Sequence, residues 1–345
     1  MKRYEELKVR DKLYQILETR NLAQNETDAL VDALISADKH GVHTHGLSVF
    51  TSHVERIDRG GYSIGIKPRI EKDYLAFMTV DAQNTIGFCS AKFCMEKAIE
   101  RANDAGVYIV FCRNCNTYGA AFYYTKMATE RNMIGITFSN SPSAMAPWGG
   151  YEKMLGTNPF AIGIPGDKEG PILFDMATSI VAKSKINEAS KRGESIPEGW
   201  AIDVEGNPTT DPIEAIKGIV LPMAGPKGYG LALSIDIIAG LLSGAAYLNN
   251  VGRFYSEDNS SMNVGQVFIA INPKRILSDS FYSQVDEYIK EIKESKAIGA
   301  GQVLFPGERK LKEFNISSDN GIEISDNSIE SINGLLHRAN NNTGL

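Results

Sequence analysis

The chain has 345 residues, 43% of them hydrophobic, and 36 Lys and Arg stand against 42 Asp and Glu for a formal net charge of -6. That is apolar material for a substantial core in about two lobes, at roughly 100–200 residues per domain, and the missing basic excess argues against nucleic acid or anionic lipid as a partner. No apolar run reaches the roughly 20 residues that cross a bilayer, and the polar opening MKRYEELKVRDK carries no secretion signal, so the expected location is the cytoplasm, with Cys89, Cys94, Cys112 and Cys115 reduced.

Residues 2–20 and 26–39 place Leu13, Ile16 and Leu17, then Ala29, Leu30, Ala33 and Leu34, at helical spacing, and Asn25-Glu26-Thr27-Asp28 offers the second helix an N-cap. A third helix is expected over about 47–59, stopped by Gly60-Gly61. Between them lies His40-Gly41-Val42-His43-Thr44-His45-Gly46, which holds three of the chain's five histidines in a glycine-bounded loop. From residue 68 the texture changes to β-type runs alternating with helices: YLAFMTVDA, a helix over 90–105, VYIVFC, a helix over 119–131, and MIGITFSN. Cys112-Arg-Asn-Cys115 has C-x-x-C spacing, but no second pair follows and the run reads as a strand leaving the core, which makes these inert buried thiols. Glycine and proline then gather between Pro142 and Gly166, a texture of ordered loops that bring backbone N–H groups to a ligand.

Residues 186–226 read as loop-rich, with an apolar helix following over 229–248. QVFIAINP is expected to be a strand, 280–295 an amphipathic helix, 326–338 a closing helix, and Asn340 to Gly344 a frayed tail. The fold class is α/β with mixed α+β character. A helical N-terminal region, 1–67, carries the histidines and packs with the C-terminal part; a discontinuous α/β core spans 68–310; a C-terminal segment spans 311–345.

Histidine titrates unperturbed near neutral pH, so the cluster suits proton transfer or metal binding. HxxHxH crowds three imidazoles as a zinc hydrolase would, but the Glu between histidines at i and i+4 is absent and no nearby carboxylate supplies a further ligand. His40 and His43 also fit a plainer role at the helix C-terminus, facing its dipole. No G-x-G-x-x-G follows an early strand and no G-x-x-x-x-G-K-[ST] occurs, which argues against a doubly wound dinucleotide fold and a nucleotide triphosphatase.

Eight strings then occur in one order: His40-Gly-Val-His-Thr-His45-Gly46, Pro147-Trp-Gly-Gly150, Gly156-Thr-Asn-Pro159, Asp175-Met-Ala-Thr-Ser179, Ile196-Pro-Glu-Gly-Trp200, Pro208-Thr-Thr-Asp-Pro212, Gly225-Pro-Lys-Gly-Tyr-Gly-Leu231 and Pro306-Gly-Glu308. Together they resemble the malate/L-lactate dehydrogenase-like oxidoreductases, with AGPKGYGL and HVERIDRGG most similar to the ureidoglycolate dehydrogenases among them. The resemblance implies a non-Rossmann fold, a largely β-sheet core covered by helices, that binds NAD or NADP. It implies cofactor contacts from Ser141, Asp175, Met176, Ala177, Lys227, Gly228, Pro306, Gly307 and Glu308, and His45 as the group that exchanges a proton with a small 2-oxo or 2-hydroxy acid. It also implies a homodimer with the active site near the subunit interface, the apolar helix 229–248 serving core or interface. The chemistry is coherent: glycine-rich turns offer N–H donors to a pyrophosphate, Lys227 adds charge, and Ser141 or Asp175 hydrogen-bonds ribose and amide groups. A plainer alternative for Asp175 is a turn that caps the next segment.

Two positions depart from the family pattern. Thr117, in Asn116-Thr117-Tyr118-Gly119, stands at the catalytic position where relatives carry a second histidine, and Val49 stands where many carry an arginine for the substrate carboxylate. A threonine is no base near neutral pH, and an apolar side chain cannot replace a guanidinium. Three consequences are open: an unusual substrate, transfer of the carboxylate to Arg56 or Lys39, or decayed catalysis. Tyr118, Tyr123 and Tyr124 offer phenolic donors or simple aromatic packing. The leading expectation is a 2-hydroxy-acid oxidoreductase; the alternatives are a cyclic imine reductase, a catalytically weakened nucleotide-binding protein, and a metal-dependent hydrolase.

Overall fold

The computed structural model describes residues 1–256 and 259–342. Its centre is a mixed sheet of β1 Arg69–Asp73, β2 Phe77–Asp81, β3 Val107–Cys115, β4 Ile134–Ser139, β5 Phe160–Ile164, β6 Ile172–Met176 and β7 Val264–Ile271. These lie in the order β1-β2-β3-β7-β4-β5-β6. β2 and β3 are parallel and every other neighbouring pair is antiparallel. It follows that β2, β3, β4 and β6 run the same way, with β7 and β5 returning between the last three, so four strands end on one rim.

Alternation along the strands sorts the core. Tyr108, Val110 and Cys112 of β3 and Phe268 and Ala270 of β7 face one side, where they bury Cys94, Met95 and Ala98 of the helix Gly87–Ala105. Ile109 and Phe111 of β3, with Phe138 and Val267, face the other side, against Ile235 and Ala239. All four cysteines are buried free thiols, and Cys112 and Cys115 belong to β3. β7 is covered along nearly its whole length because it is flanked by strands and packed on both faces.

The helices Glu6–Glu18, Gln24–Lys39, Phe50–Asp58 and Asp326–Asn342 build a second core around Leu13, Leu34, Phe50, Val54 and Ile332. The strand Lys2–Tyr4 pairs with Ile322–Ile324, tying the two ends of the chain together. The second helix starts earlier than the Asn25–Asp28 cap suggests, because Glu26 reaches back to accept the Ala23 N–H at 2.9 Å.

Three stretches differ from the sequence expectation. Residues 186–226 are rich in loops but also carry regular elements: the end of the helix Lys183–Arg192, the helix Pro212–Lys217 and a small three-stranded sheet of Ala201–Ile202, Pro208–Thr209 and Ile219–Val220. The apolar helix begins at Pro226 and leaves α geometry after Ile235 for a wider turn over Asp236–Leu241. The buried Asp236 carboxylate accepts Asn140 Nδ2 and the Leu248 N–H, each at 3.1 Å, which turns the chain back before residue 248. A polar helix, Glu308–Asn320, fills the stretch before the closing helix, which runs to Asn342; positions 343 and 344 of the expected tail lie outside the described residues. Among the described residues no helix is long and apolar enough to cross a membrane.

Candidate active site

Because β3, β4 and β6 end on one rim, the loops that follow them converge. Thr117 lies two residues beyond β3, Ser141 two beyond β4, and Asp175 and Met176 close β6. With the first residue of β7, Val264, and with Pro159 just before β5, they line a cleft of about 620 Å³, a volume suited to a small ligand with its cofactor groups. Ser141 is fixed by Asn158, whose Oδ1 accepts the Ser141 N–H at 3.0 Å while its Nδ2 donates to Ala232 O at 2.8 Å.

His45 enters the cleft from the other core. The helix Gln24–Lys39 ends at His40, and two short 3₁₀ turns, His43–His45 and Leu47–Val49, carry the chain into the helix Phe50–Asp58. Asp38 pins these turns: one carboxylate oxygen accepts His43 Nδ1 at 2.8 Å and the other the Leu47 N–H at 2.7 Å. A side chain at position 46 would collide with the Asp38 carboxylate, so only glycine lets the turn close over it. His45 is left facing the cleft, its Nδ1 3.0 Å from Thr44 Oγ1.

The three clustered histidines are therefore separated. His40 is buried between the rings of Phe122 and Phe314, at 4.9 and 4.8 Å, and donates Nδ1–H to Ser36 O at 2.6 Å. It caps a carbonyl of the last turn as expected, but as a neutral group, since burial lowers its pKa to about 4. His43 belongs to Asp38 instead of the helix end, and this hydrogen bond raises its pKa. His45 alone reaches the cleft.

Asp175 faces His45. Its carboxylate accepts the Phe122 N–H at 3.0 Å, at the start of the helix Phe122–Thr129. Burial raises the Asp175 pKa, opposed by that N–H and by the charges of Lys310 and His45. His45 keeps an exposed edge, yet the cleft walls withdraw enough water to lower its pKa, with Asp175 opposing. Lys310, half-buried in the same cleft, is likewise lowered by burial and opposed by Asp175. A histidine held below its usual range is neutral at pH 7, so it can take a proton from a hydroxyl group and return it to a carbonyl oxygen.

Lys310, Lys183 and Lys185 line the cleft without having been marked by the sequence. No motif flags them; Lys310 sits one residue beyond the Pro306-Gly-Glu-Arg string, and Lys183 and Lys185 open a polar helix. Of the expected cofactor residues, Ser141, Asp175, Met176 and Ala177 line the cleft, whereas Lys227, Gly228, Pro306, Gly307 and Glu308 do not. Lys227 is exposed at the start of its helix, and Gly228 packs against Met223. Gly307, at φ 95°, packs on the Leu173 backbone, Pro306 O accepts the Leu173 N–H at 3.1 Å, and buried Glu308 pairs with Lys312 at 2.9 Å. That turn docks the helix bearing Lys310 onto β6.

The proposed substitutes for the missing arginine lie elsewhere. Arg56 is buried and donates to Phe254 O and Ser260 O, both at 2.9 Å, and Lys39 pairs with Glu6 at 2.8 Å. Val49 packs against the N-terminal core. Thr117 does line the cleft, on a loop held by Asn116, which donates to Thr85 O at 2.9 Å. Tyr118 stacks on Tyr124 at 5.0 Å, and Tyr124 donates to Tyr118 O at 2.7 Å, so these phenols serve packing.

Comparison with known proteins agrees with this architecture. The family model described as Malate/L-lactate dehydrogenase matches residues 4–333. L-sulfolactate dehydrogenase of Methanothermobacter thermautotrophicus is 38% identical over 96% of this chain and 94% of its own length. Ureidoglycolate dehydrogenase (NAD(+)) of Escherichia coli is 34% identical over 92% of each chain. The solved sulfolactate dehydrogenase of Methanocaldococcus jannaschii superposes with a TM-score of 0.91 at 34% identity, covering 98% of both chains. Other relatives include malate dehydrogenases and an NADP(+)-dependent sulfolactate dehydrogenase, and a solved neighbour is a piperideine-carboxylate reductase. The chain belongs to the malate/L-lactate dehydrogenase family and is an NAD(P)-dependent dehydrogenase of hydroxy acids.

Proposed function

We propose that the chain interconverts a small 2-hydroxy acid and its 2-oxo acid, with His45 as the proton-exchanging group. The observation that carries this reading is the convergence of His45 and Asp175, from two separate cores, on one cleft at the strand ends. Neutral His45 accepts the hydroxyl proton as the alcohol is oxidised; protonated, it gives that proton back to the carbonyl oxygen, where negative charge develops on reduction. Asp175 tunes this exchange, its negative charge favouring the protonated imidazole. Thr117 contributes a hydroxyl hydrogen bond and no base.

The donor set fits a dinucleotide. The helix Lys183–Arg192 starts without a side-chain cap, its first residues line the cleft, and Lys183 and Lys185 flank it, an arrangement that favours an anionic group such as a pyrophosphate. Ser141 and the Asp175–Ala177 run offer polar and backbone groups to the rest of the cofactor, while Gly228 and the Pro306–Glu308 turn buttress the walls behind them. Bound NAD or NADP supplies the two-electron exchange at the substrate carbon. The reading includes a homodimer formed through the exposed apolar face of Ile237, Ile238, Leu241 and Leu242.

The test is a panel of malate, lactate, sulfolactate, oxalurate and cyclic imines, followed by NADH and NADPH absorbance. Turnover of at least one 2-hydroxy or 2-oxo acid is expected; none with either cofactor overturns the reading. Turnover of imines alone favours the second reading, a cyclic imine reductase, which Thr117 supports because the imine nitrogen itself then takes the proton.

A further inference from the structure

A 2-hydroxy acid carries its carboxylate one bond from the carbon whose hydroxyl meets His45. Whatever cation receives that carboxylate must therefore stand beside His45. Besides His45 itself, the lysines on the cleft lining are Lys183, Lys185 and Lys310, and no arginine lines it. Lys183 and Lys185 are exposed at the start of their helix. Lys310 is different: it is half-buried, and the charge of Asp175 acts on both it and His45.

The Lys310 ammonium is also under-used. Among the described residues its one hydrogen bond is a long one, Nζ to Leu173 O at 3.4 Å, beside the Phe122 ring with Nζ 5.6 Å from the centroid. No carboxylate lies within ion-pair distance of it among the described residues, Asp175 included. An ammonium has three donors, and removing it from water with one weak partner is unfavourable unless a ligand completes the set. The placement is fixed, since the Gly307 turn presses the first turn of the helix Glu308–Asn320 against β6, two residues before Asp175.

We infer that Lys310 binds the carboxylate of the substrate acid and so sets the preference for acids over their neutral analogues, a role that rests on the 2-hydroxy-acid reading above. It does the work that an arginine at position 49 cannot do here, from a different element and a different core. Asp175 balances its charge while the cleft is empty, and the substrate carboxylate then takes the free donors.

The experiment compares the wild type with K310M and K310R on the best 2-oxo acid of the panel and on its neutral amide. In K310M the KM for the acid rises on the order of 10–100-fold, the loss expected for a charge-assisted hydrogen bond, while the KM for the amide and the NADH affinity by fluorescence stay within about threefold. K310R recovers most of the acid KM. If K310M does not fold, K310Q reads the same acid-to-amide ratio. An unchanged acid KM in a folded, active variant overturns the assignment, as does an equal loss on acid and amide, which marks a structural role. A wild type that turns over no acid overturns the functional reading and this one with it.

Discussion

The protein holds two histidines with charged neighbours, His53 buried in a core and His45 at the mouth of the cleft. Around His53, Nδ1 meets the Tyr62 hydroxyl at 2.8 Å, Phe88 and Phe254 pack against the ring at 5.0 and 4.8 Å, and Arg56 lies over Tyr62 with its terminal nitrogens on Phe254 O and Ser260 O. Burial holds His53 at a pKa of about 3, with Arg56 adding to the shift. His45 shares its cleft with Asp175 and Lys310, and it too is lowered by burial, with the Asp175 charge opposing. The first group spends its hydrogen bonds on the protein; the second leaves an imidazole and an ammonium facing a cleft. A histidine beside a charged side chain does not by itself separate a site from a structural nest here. Unspent hydrogen-bonding capacity at an open surface does.

The largest effects break that comparison if it is wrong. His45→Ala is expected to lower kcat about 10²–10⁴-fold with the unfolding midpoint and NADH affinity unchanged, read by initial rates, urea melts and fluorescence. His53→Ala is expected to do the reverse: turnover per folded molecule is kept while stability falls by about 2–4 kcal/mol, through a buried cavity and an orphaned Tyr62 hydroxyl. A His45 variant at full kcat, or a His53 variant that is stable but inactive, would reverse the two assignments.

Asp175→Asn sharpens the same contrast through pH. Oxidation needs neutral His45, so its rate falls as pH drops through the His45 pKa. Burial sets that pKa below the usual range and the Asp175 charge pulls it partly back. Removing the charge lets it fall further, so the acid limb of kcat/KM for oxidation moves to lower pH. A shift to higher pH would show that Asp175 does not act on His45 as a negative charge.

Much of this was legible in the sequence where periodicity and chemistry coincide. Leu13, Ile16 and Leu17, or Tyr108, Val110 and Cys112, announce their faces because one period dominates each segment. β1 could not be read that way: Arg69-Ile-Glu-Lys-Asp73 is exposed throughout and gains its strand form only from pairing with β2. The break after Ile235 depends on Asn140, far along the chain, and on Leu248, the last residue of the run that reads as one helix. In the site, His45 and Asp175 stand in recognisable strings and Ser141 follows from the family resemblance, but Lys310 is one lysine in a polar stretch. Its importance appears only when the Gly307 turn has docked on Leu173, a contact that no local pattern encodes.

The smallest expected effect concerns the support of His45. Asp38 holds the loop through His43 Nδ1 and the Leu47 N–H, and Asp38→Asn keeps one oxygen acceptor for Leu47 while its amide can donate to the other tautomer of His43. The geometry survives and the charge is lost, so the cost is about 1 kcal/mol or less. The hydrogen bond to Asp38 raises the His43 pKa, so the stabilisation it provides is fully present below the unfolded histidine value near 6.5 and is lost as pH rises through the folded value. Asp38's own upward shift, caused by burial, acts at the acid end and does not alter that window. Urea melts at about pH 6 and 8.5 should therefore show a wild-type advantage that shrinks at the higher pH, with kcat lowered only severalfold. An advantage that grows with pH would mean that His43 is not charged in the folded protein, and that Asp38 holds the turn beneath His45 through Leu47 alone.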